Sequence, residues 1–447
     1  MNGIVLGTVG AYFAVLLGVA WYCSRHESLE AYFVNARKTT LWLLTLANVA
    51  TVVGAGATVA IVSEVYRSGI SYGSALVVSF IVGMLLLGAV ATRIKAIGDR
   101  YGAYTIVDFY HKRFGERNRA LVAILQVLLL VIWIGVQTIA LAAMAQALIG
   151  VPYLAAVGLS VGVTVLYTAI GGLKLDIITD FLQFWIIAIV FALMGAFGYA
   201  RLTGGITGLL ASLPPGHLDP FAFGGVGWFV GAMVLSGFIY LANTAHWQRI
   251  FSAADERTAR RSFVYALPIL VVLGALVLFF GLLAAATLGQ VPPDTAFYAL
   301  IGQTLPPVLV GLGFAAILAV VMSSIDSLVV GGSAILYPLL EGRGSGRRHV
   351  RHARLLTAAF GIIGGLVALL FPSIINLSLF VSYLALIFVP SIMAGLYGSR
   401  TSPQASFLSI LIPTALLVAL YPFLTKNTFL ITTPLSVAIV LFYDRFR

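Results

Sequence analysis

Apolar runs of bilayer length recur along this chain, and such a run permits very few structures. The first, GIVLGTVGAYFAVLLGVAWYC at residues 3–23, carries no charge. In hydrocarbon every backbone N–H and C=O must find its partner within the protein, which leaves helical bundles or closed barrels. Barrel strands alternate apolar and polar residues in segments of about 10. These runs do not alternate and reach about 20 residues, the length of a spanning helix. Charged residues make up only 9% of the 447-residue chain, against about 25% in soluble domains, and no polar stretch is long enough to enclose a core. The expected fold class is an all-α integral membrane protein, with residues 1–447 as a single polytopic domain.

Thirteen spans are expected, near 3–23, 41–66, 70–92, 120–149, 153–170, 177–200, 227–247, 263–289, 308–338, 354–371, 374–397, 404–424 and 427–443. An odd count places the ends on opposite sides. With the N-terminus outside and the C-terminus in the cytoplasm, every Lys and Arg except Arg67, Arg201 and Lys426 falls in an inner loop or tail. This is the asymmetry expected of a plasma-membrane protein, and it accounts for the formal net charge of +11 without a nucleic-acid partner. Cys23 is the single cysteine, so no internal disulfide is expected. No basic segment precedes the first run and no small-residue cleavage site follows it, so it reads as a retained span.

The stretch TVVGAGATVA, residues 51–60, lies within the second span. Glycines two apart do not form a helix–helix seam, which needs small residues four apart. They are not a dinucleotide fingerprint either, because no strand and no third glycine accompany them. Two readings remain. Either Gly54, Ala55, Gly56 and Ala57 let a neighbouring backbone come close, or the helix is interrupted here, since glycine lowers the cost of leaving helical φ/ψ. Interruption at membrane depth is tolerated only where backbone is buried or lines a cavity. The seventh span, GAMVLSGFIYLANTAHW at 231–247, also has a weak centre, at Ser236–Gly237 and Asn243–Thr244. Spans two to six (41–200) and seven to eleven (227–397) thus form two five-helix halves of opposite orientation, each opened by a breakable helix. An extra N-terminal helix (3–23) precedes them and two C-terminal helices (404–443) follow. Paired broken helices of this kind mark substrate and ion sites near mid-bilayer in secondary transporters.

Polar residues inside the spans are few and expensive. VVMSSIDSL, residues 320–328, holds the most. Ser323 and Ser324 point about 100° apart, and with carbonyls freed by a broken helix their hydroxyls form a hard, neutral oxygen cage suited to a small monovalent cation. Asp180 reads as a first-turn acid of the sixth span or a group on a cation exit path. Asp176 reads as the cap of that span, and Asp326 as an inner-end acid paired with a basic loop residue. Glu64 reads as a structural acid beside Arg67. Gln126 and Gln137, near one face of the fourth span, either bond neighbouring helices or line a solute path. Gly54, Ala57, Gln137, Tyr240 and Asn243 are the substrate-binding candidates. No metal-ligand pair or phosphate loop occurs in the sequence, so an enzyme is not expected, and no organic cofactor or obligate protein partner is called for.

At these residues the chain resembles the sodium:solute symporter family, whose members share the LeuT-type inverted-repeat fold. The matching pieces are VNARKTTLWLLTLANVATVVGAGA, SGISYG, YTAIGGLKLDIITDFLQ, QRIFSAADERTARR and VVMSSIDSL, in family order over about residues 34–330. The resemblance implies a sodium site made by the backbone carbonyls of Ala50, Val53 and Val320 and the hydroxyls of Ser323 and Ser324, with Asp180 near the ion's inward exit. It implies sodium-coupled symport of a small organic solute by alternating access. Sugar- and proline-carrying members place acids, amides or hydroxyls just past the break, where this chain has Val52, Gly54, Gly56 and Ala57, so neither pocket type nor a second sodium site is expected. The alternatives are a proton-coupled carrier of the same fold and a membrane sensor module.

Overall fold

The computed structural model describes residues 2–23, 28–341, 346–370, 374–398 and 400–445. Arg25, Arg343 and Arg447, assigned above to the inner side, lie outside the described residues. Residues 41–200, expected above to form the first half, fold into α3 (Leu41–Val52), α4 (Val59–Ser68), α5 (Ile70–Tyr101), α6 (Ile106–Phe114), α7 (Glu116–Ile149) and α8 (Tyr153–Ala200). They are preceded by α1 (Asn2–Cys23) and the short α2 (Leu29–Val34). After α9 (Gly205–Ala211) come α10 (Gly225–Leu235), α11 (Ile239–Ala242), α12 (Thr244–Ser252), α13 (Glu256–Thr287) and α14 (Ala296–Thr304). Then follow α15 (Val310–Leu340), α16 (Arg347–Leu370), α17 (Ile374–Leu396), α18 (Pro403–Leu424) and α19 (Phe429–Phe442). Among the described residues there is no strand, only one isolated bridge between Thr39 and Ala253.

Ten helices are long and apolar enough to cross a membrane, and the bent α3–α4 pair makes 11. The expected thirteen follow from two further facts. At 48 residues α8 would be roughly 72 Å long if straight, over twice a bilayer's hydrocarbon thickness. It is two spans joined at Gly172, whose φ of 56° and ψ of −160° leave the helical region. Tyr167 and Thr168 before that glycine, and Asp176 after it, meet the adjacent α15 residues Asp326 and Ser327. The chain therefore doubles back, and a Cβ at Gly172 would press on the Tyr32 carbonyl at 2.5 Å. The other addition is α19, at 14 residues shorter than the rest.

The bundle surrounds α15, whose most apolar window is 100% buried. α13 packs along α5, α4 and α3, while α8 and α7 pack on α15 from the first half. Polar contacts gather at the two ends. At one end Arg37 pairs with Glu30 and Asp99, Lys95 pairs with Asp99, and Asn118 donates to the Pro403 carbonyl. At the other, Arg67 pairs with Glu64 at 2.6 Å, Ile70 N–H donates to the His217 carbonyl, and Lys426 donates to Phe223 O. Between α12 and α13, Asp255 caps α13 by accepting the Thr258 N–H at 2.7 Å, which holds its carboxyl below the usual carboxylate range.

Candidate ion and solute site

The second span is interrupted where the glycines stand. Helix α3 ends at Val52, a single 3₁₀ turn follows at Ala55–Ala57, and the two parts of the span are bent by 70°. The interruption can be followed bond by bond. Ala55 N–H, which in a continuous helix would donate to the Thr51 carbonyl, donates to Gln137 Oε1 at 2.8 Å. The released Thr51 carbonyl accepts from the Ser324 hydroxyl at 3.0 Å. Ala57 N–H turns to the Gly54 carbonyl at 3.0 Å, which deprives the Val53 carbonyl of its i+4 donor. Ser323 Oγ lies 2.9 Å from the Ala50 carbonyl and 3.0 Å from that of Val320. The helix therefore breaks, and what comes close to Gly54 is a side chain and not a neighbouring backbone: a Cβ there would run into Ser324 Oγ.

The second break is at Asn243, extended at φ −88° and ψ 118°, after a 3₁₀ turn at Ser236–Phe238. Asn243 Oδ1 caps α12 by accepting the Ala245 N–H at 2.9 Å. The Ala242 carbonyl, left open by the break, accepts from Gln126 Nε2 at 2.7 Å. Gln126 and Gln137 on α7 thus each satisfy one backbone group at one break, and for Gln126, which does not line the cavity, this is the first of the two readings. Gln137 does both, since it also lines the cavity described next.

A cavity of 110 Å³ opens between the two breaks. Gly54, Ala57, Gln137, Tyr240 and Asn243, the five substrate candidates, all line it, as do Thr51 and Ser324. Residues that the sequence reading did not select line it too. Trp133 lies 3.4 Å from where a Gly56 Cβ would be, and the Tyr72 and Trp228 rings stack with 14° between their planes.

Below Ser323 the acids stand differently from expectation. Asp326 does not pair with a loop cation: it is buried and accepts from the Tyr167 and Thr168 hydroxyls of α8. Asp176 does not cap a helix, and Asp180 is not a first-turn solvent-side acid. Both carboxylates bond Arg249 Nη2, at 3.0 and 2.5 Å, and the same nitrogen lies 2.8 Å from Ser327 Oγ. Thr51 Oγ1 reaches Asp180 at 3.3 Å, so this network touches the uncoiled end of α3. Arg249 is therefore not a loop cation. The available signal is its place in HWQRIF, one residue from Ile250 and two from Trp247 and Phe251, five residues past Thr244 of the second weak centre. Among the described residues no group of three His, Cys, Asp or Glu is arranged to hold a metal ion.

The family model described as "Sodium:solute symporter family" matches residues 32–412. The sodium/pantothenate symporter of Escherichia coli (strain K12) is 25% identical, covering 90% of this chain and 87% of that protein. The sodium/glucose cotransporter of Vibrio parahaemolyticus is 23% identical, covering 92% and 84%. Among solved structures, the substrate-bound outward-open state of a Na⁺-coupled sialic acid symporter superimposes with a TM-score of 0.87 at 16% identity, over 99% of this chain and 98% of the other.

Proposed function

From the premise that the chain belongs to the sodium:solute symporter family, we propose that sodium binds between α3 and α15 and drives uptake of a small organic solute held in the neighbouring cavity. The ion's ligands are the carbonyls of Ala50, Val53 and Val320 and the hydroxyls of Ser323 and Ser324. One observation carries the assignment: Ser323 lies within 3.0 Å of two of these carbonyls. A hydroxyl donating into a carbonyl holds its proton between two oxygens. With a cation in that space, the hydroxyl rotates and both oxygens face the ion. Neutral oxygens suit a monovalent hard cation, whereas divalent ions favour carboxylates in contact.

Sodium so placed ties the uncoiled end of α3 to α15 and thereby shapes the cavity wall at Gly54. The solute binds beside it, and rocking of the two halves opens the path past Asp180. Each sodium ion moving inward across 100 mV supplies about 2.3 kcal/mol, in addition to its concentration gradient. The membrane is the plasma membrane, the N-terminus lies outside and the C-terminus in the cytoplasm. A proton-coupled carrier needs a titratable group in the ion seat, and this seat has none.

Ser323→Ala and Ser324→Ala each remove one ligand. Both variants are expected to need at least several-fold more sodium for half-maximal stabilisation of the purified protein against heat, with lithium or choline as controls. Sodium dependence unchanged in both variants, or stabilisation by choline equal to that by sodium at fixed pH, removes the site.

A further inference from the structure

We propose that the solute taken by the central cavity is uncharged, with neither an anionic nor a cationic group. This rests on the symport reading above and specifies its cargo. Among the described residues the cavity lining includes no Asp, Glu, Lys or Arg. Its polar groups are neutral and include the amides of Gln137 and Asn243 and the hydroxyls of Thr51, Ser324, Ser378 and Ser382. Ser378 Oγ is buried with no hydrogen-bond partner, a group left for a solute to satisfy. The remaining lining is largely apolar, and Tyr72, Trp133, Trp228, Tyr240 and Tyr383 are among its aromatic members. His246 also lines the cavity, and an imidazole is mostly uncharged at neutral pH.

An ion entering this space would lose its hydration and gain no counter-ion, which is costly at low dielectric. Two cations, Lys426 and Arg249, stand behind the wall, and neither is in the lining. Lys426 sits over the Phe223 ring, which packs on Tyr72 and Trp228, and it donates to the Phe223 carbonyl. On the α15 side Arg249 is committed to Asp176 and Asp180, and Asp326 lies in the same region. Three carboxylates stand there against one guanidinium, and sodium beside Ser324 offsets only part of that excess. A carboxylate solute therefore meets no surplus positive charge on that side. A cationic solute meets sodium first, because Ser324 is itself part of the cavity wall. An uncharged polar molecule incurs neither cost. It can lay a flat face on the rings while its hydroxyl or amide groups bond Gln137, Asn243 and Ser378.

The test is thermal unfolding of the full-length protein in detergent, in sodium chloride and in N-methyl-D-glucamine chloride. The probes are polar metabolites sorted by charge and include matched pairs such as panthenol and pantothenate, with glucose as an uncharged probe and choline as a cationic one. Uncharged compounds are expected to raise the melting temperature in sodium, and their charged counterparts are expected not to. Trp133→Ala is expected to weaken the uncharged hits by roughly tenfold while leaving the shift caused by sodium alone in place. Hits led by anions or cations, or no uncharged hit, overturn the proposal. The sodium reading is scored separately, by the shift that sodium produces without solute. Uncharged hits with no such shift sink the sodium site and leave the solute class standing.

Discussion

Arg249 is fully buried, and its Nη2 atom is shared by Asp176, Asp180 and Ser327. Its Nε and Nη1 atoms and Asp180 Oδ1 are buried without partners. The network is therefore held by charge more than by complete hydrogen bonding, and removing its only cation leaves acids facing one another. Losing one member of a buried ion pair typically costs about 3–5 kcal/mol. Arg249→Met is expected to lower the melting temperature of the purified protein sharply, and adding Asp180→Asn to recover a large part of the loss. A single variant as stable as the parent contradicts this, and so does a double variant no better than the single. At this scale the sequence was readable in part. Ser323 and Ser324 stood out because two hydroxyls in a run of apolar residues have few uses. Asp326 and Arg249 were misplaced because nothing local separates a cation or acid at a helix end from one folded inward. That depends on which distant residues, here those of α8, come to face it.

At the scale of elements, the break in the second span was legible because its cause is local. Glycines among β-branched residues weaken the helix at that point, whatever surrounds it. What holds the break open was legible only as one of two readings of Gln126 and Gln137, because the groups they bond belong to other helices. The two glutamines of α7 are 11 residues apart in sequence, close to three helical turns, so one face of one helix serves both interruptions. Gln137 accepts the Ala55 N–H and Gln126 donates to the Ala242 carbonyl. Gln126 does not line the cavity, so its replacement tests the structural role cleanly. Gln126→Leu leaves a buried carbonyl unsatisfied, at a cost of about 1–3 kcal/mol. The expected result is a lower melting temperature with the sodium concentration for half-maximal stabilisation little changed. A variant of unchanged melting temperature shows that the second break does not need this bond. The turn at Gly172 shows the same division between local and distant causes. The sequence separated two spans there from their length, while the closeness of Tyr32, which excludes any side chain at 172, comes from α2.

Over the whole molecule, the separation of charge is the feature that sequence and structure describe in the same terms. The residues expected inside meet one another at one end of the bundle, as Arg37 and Lys95 do around Asp99 and Asn118 at Pro403. Arg67 and Lys426, expected outside, are found at the opposite end with His217 and Phe223. The fold makes one end strongly basic and the other nearly free of cations, and positive loops stay on the cytoplasmic side during insertion. The proposed direction of the whole bundle rests on that asymmetry, and two exposed positions test it. Leu218 lies in the loop after α9 at the sparsely charged end and is 47% exposed. Ala254 is exposed in the turn before α13, at the basic end where its N–H meets the Thr39 carbonyl. In a Cys23→Ser background, Leu218→Cys is expected to react with a membrane-impermeant maleimide added to intact cells. Ala254→Cys is expected to react only after the membrane is opened. The reverse pattern inverts the proposed topology, and with it the direction in which the sodium gradient drives the solute. Labelling of both sites in intact cells contradicts a bundle whose two ends are separated by a bilayer.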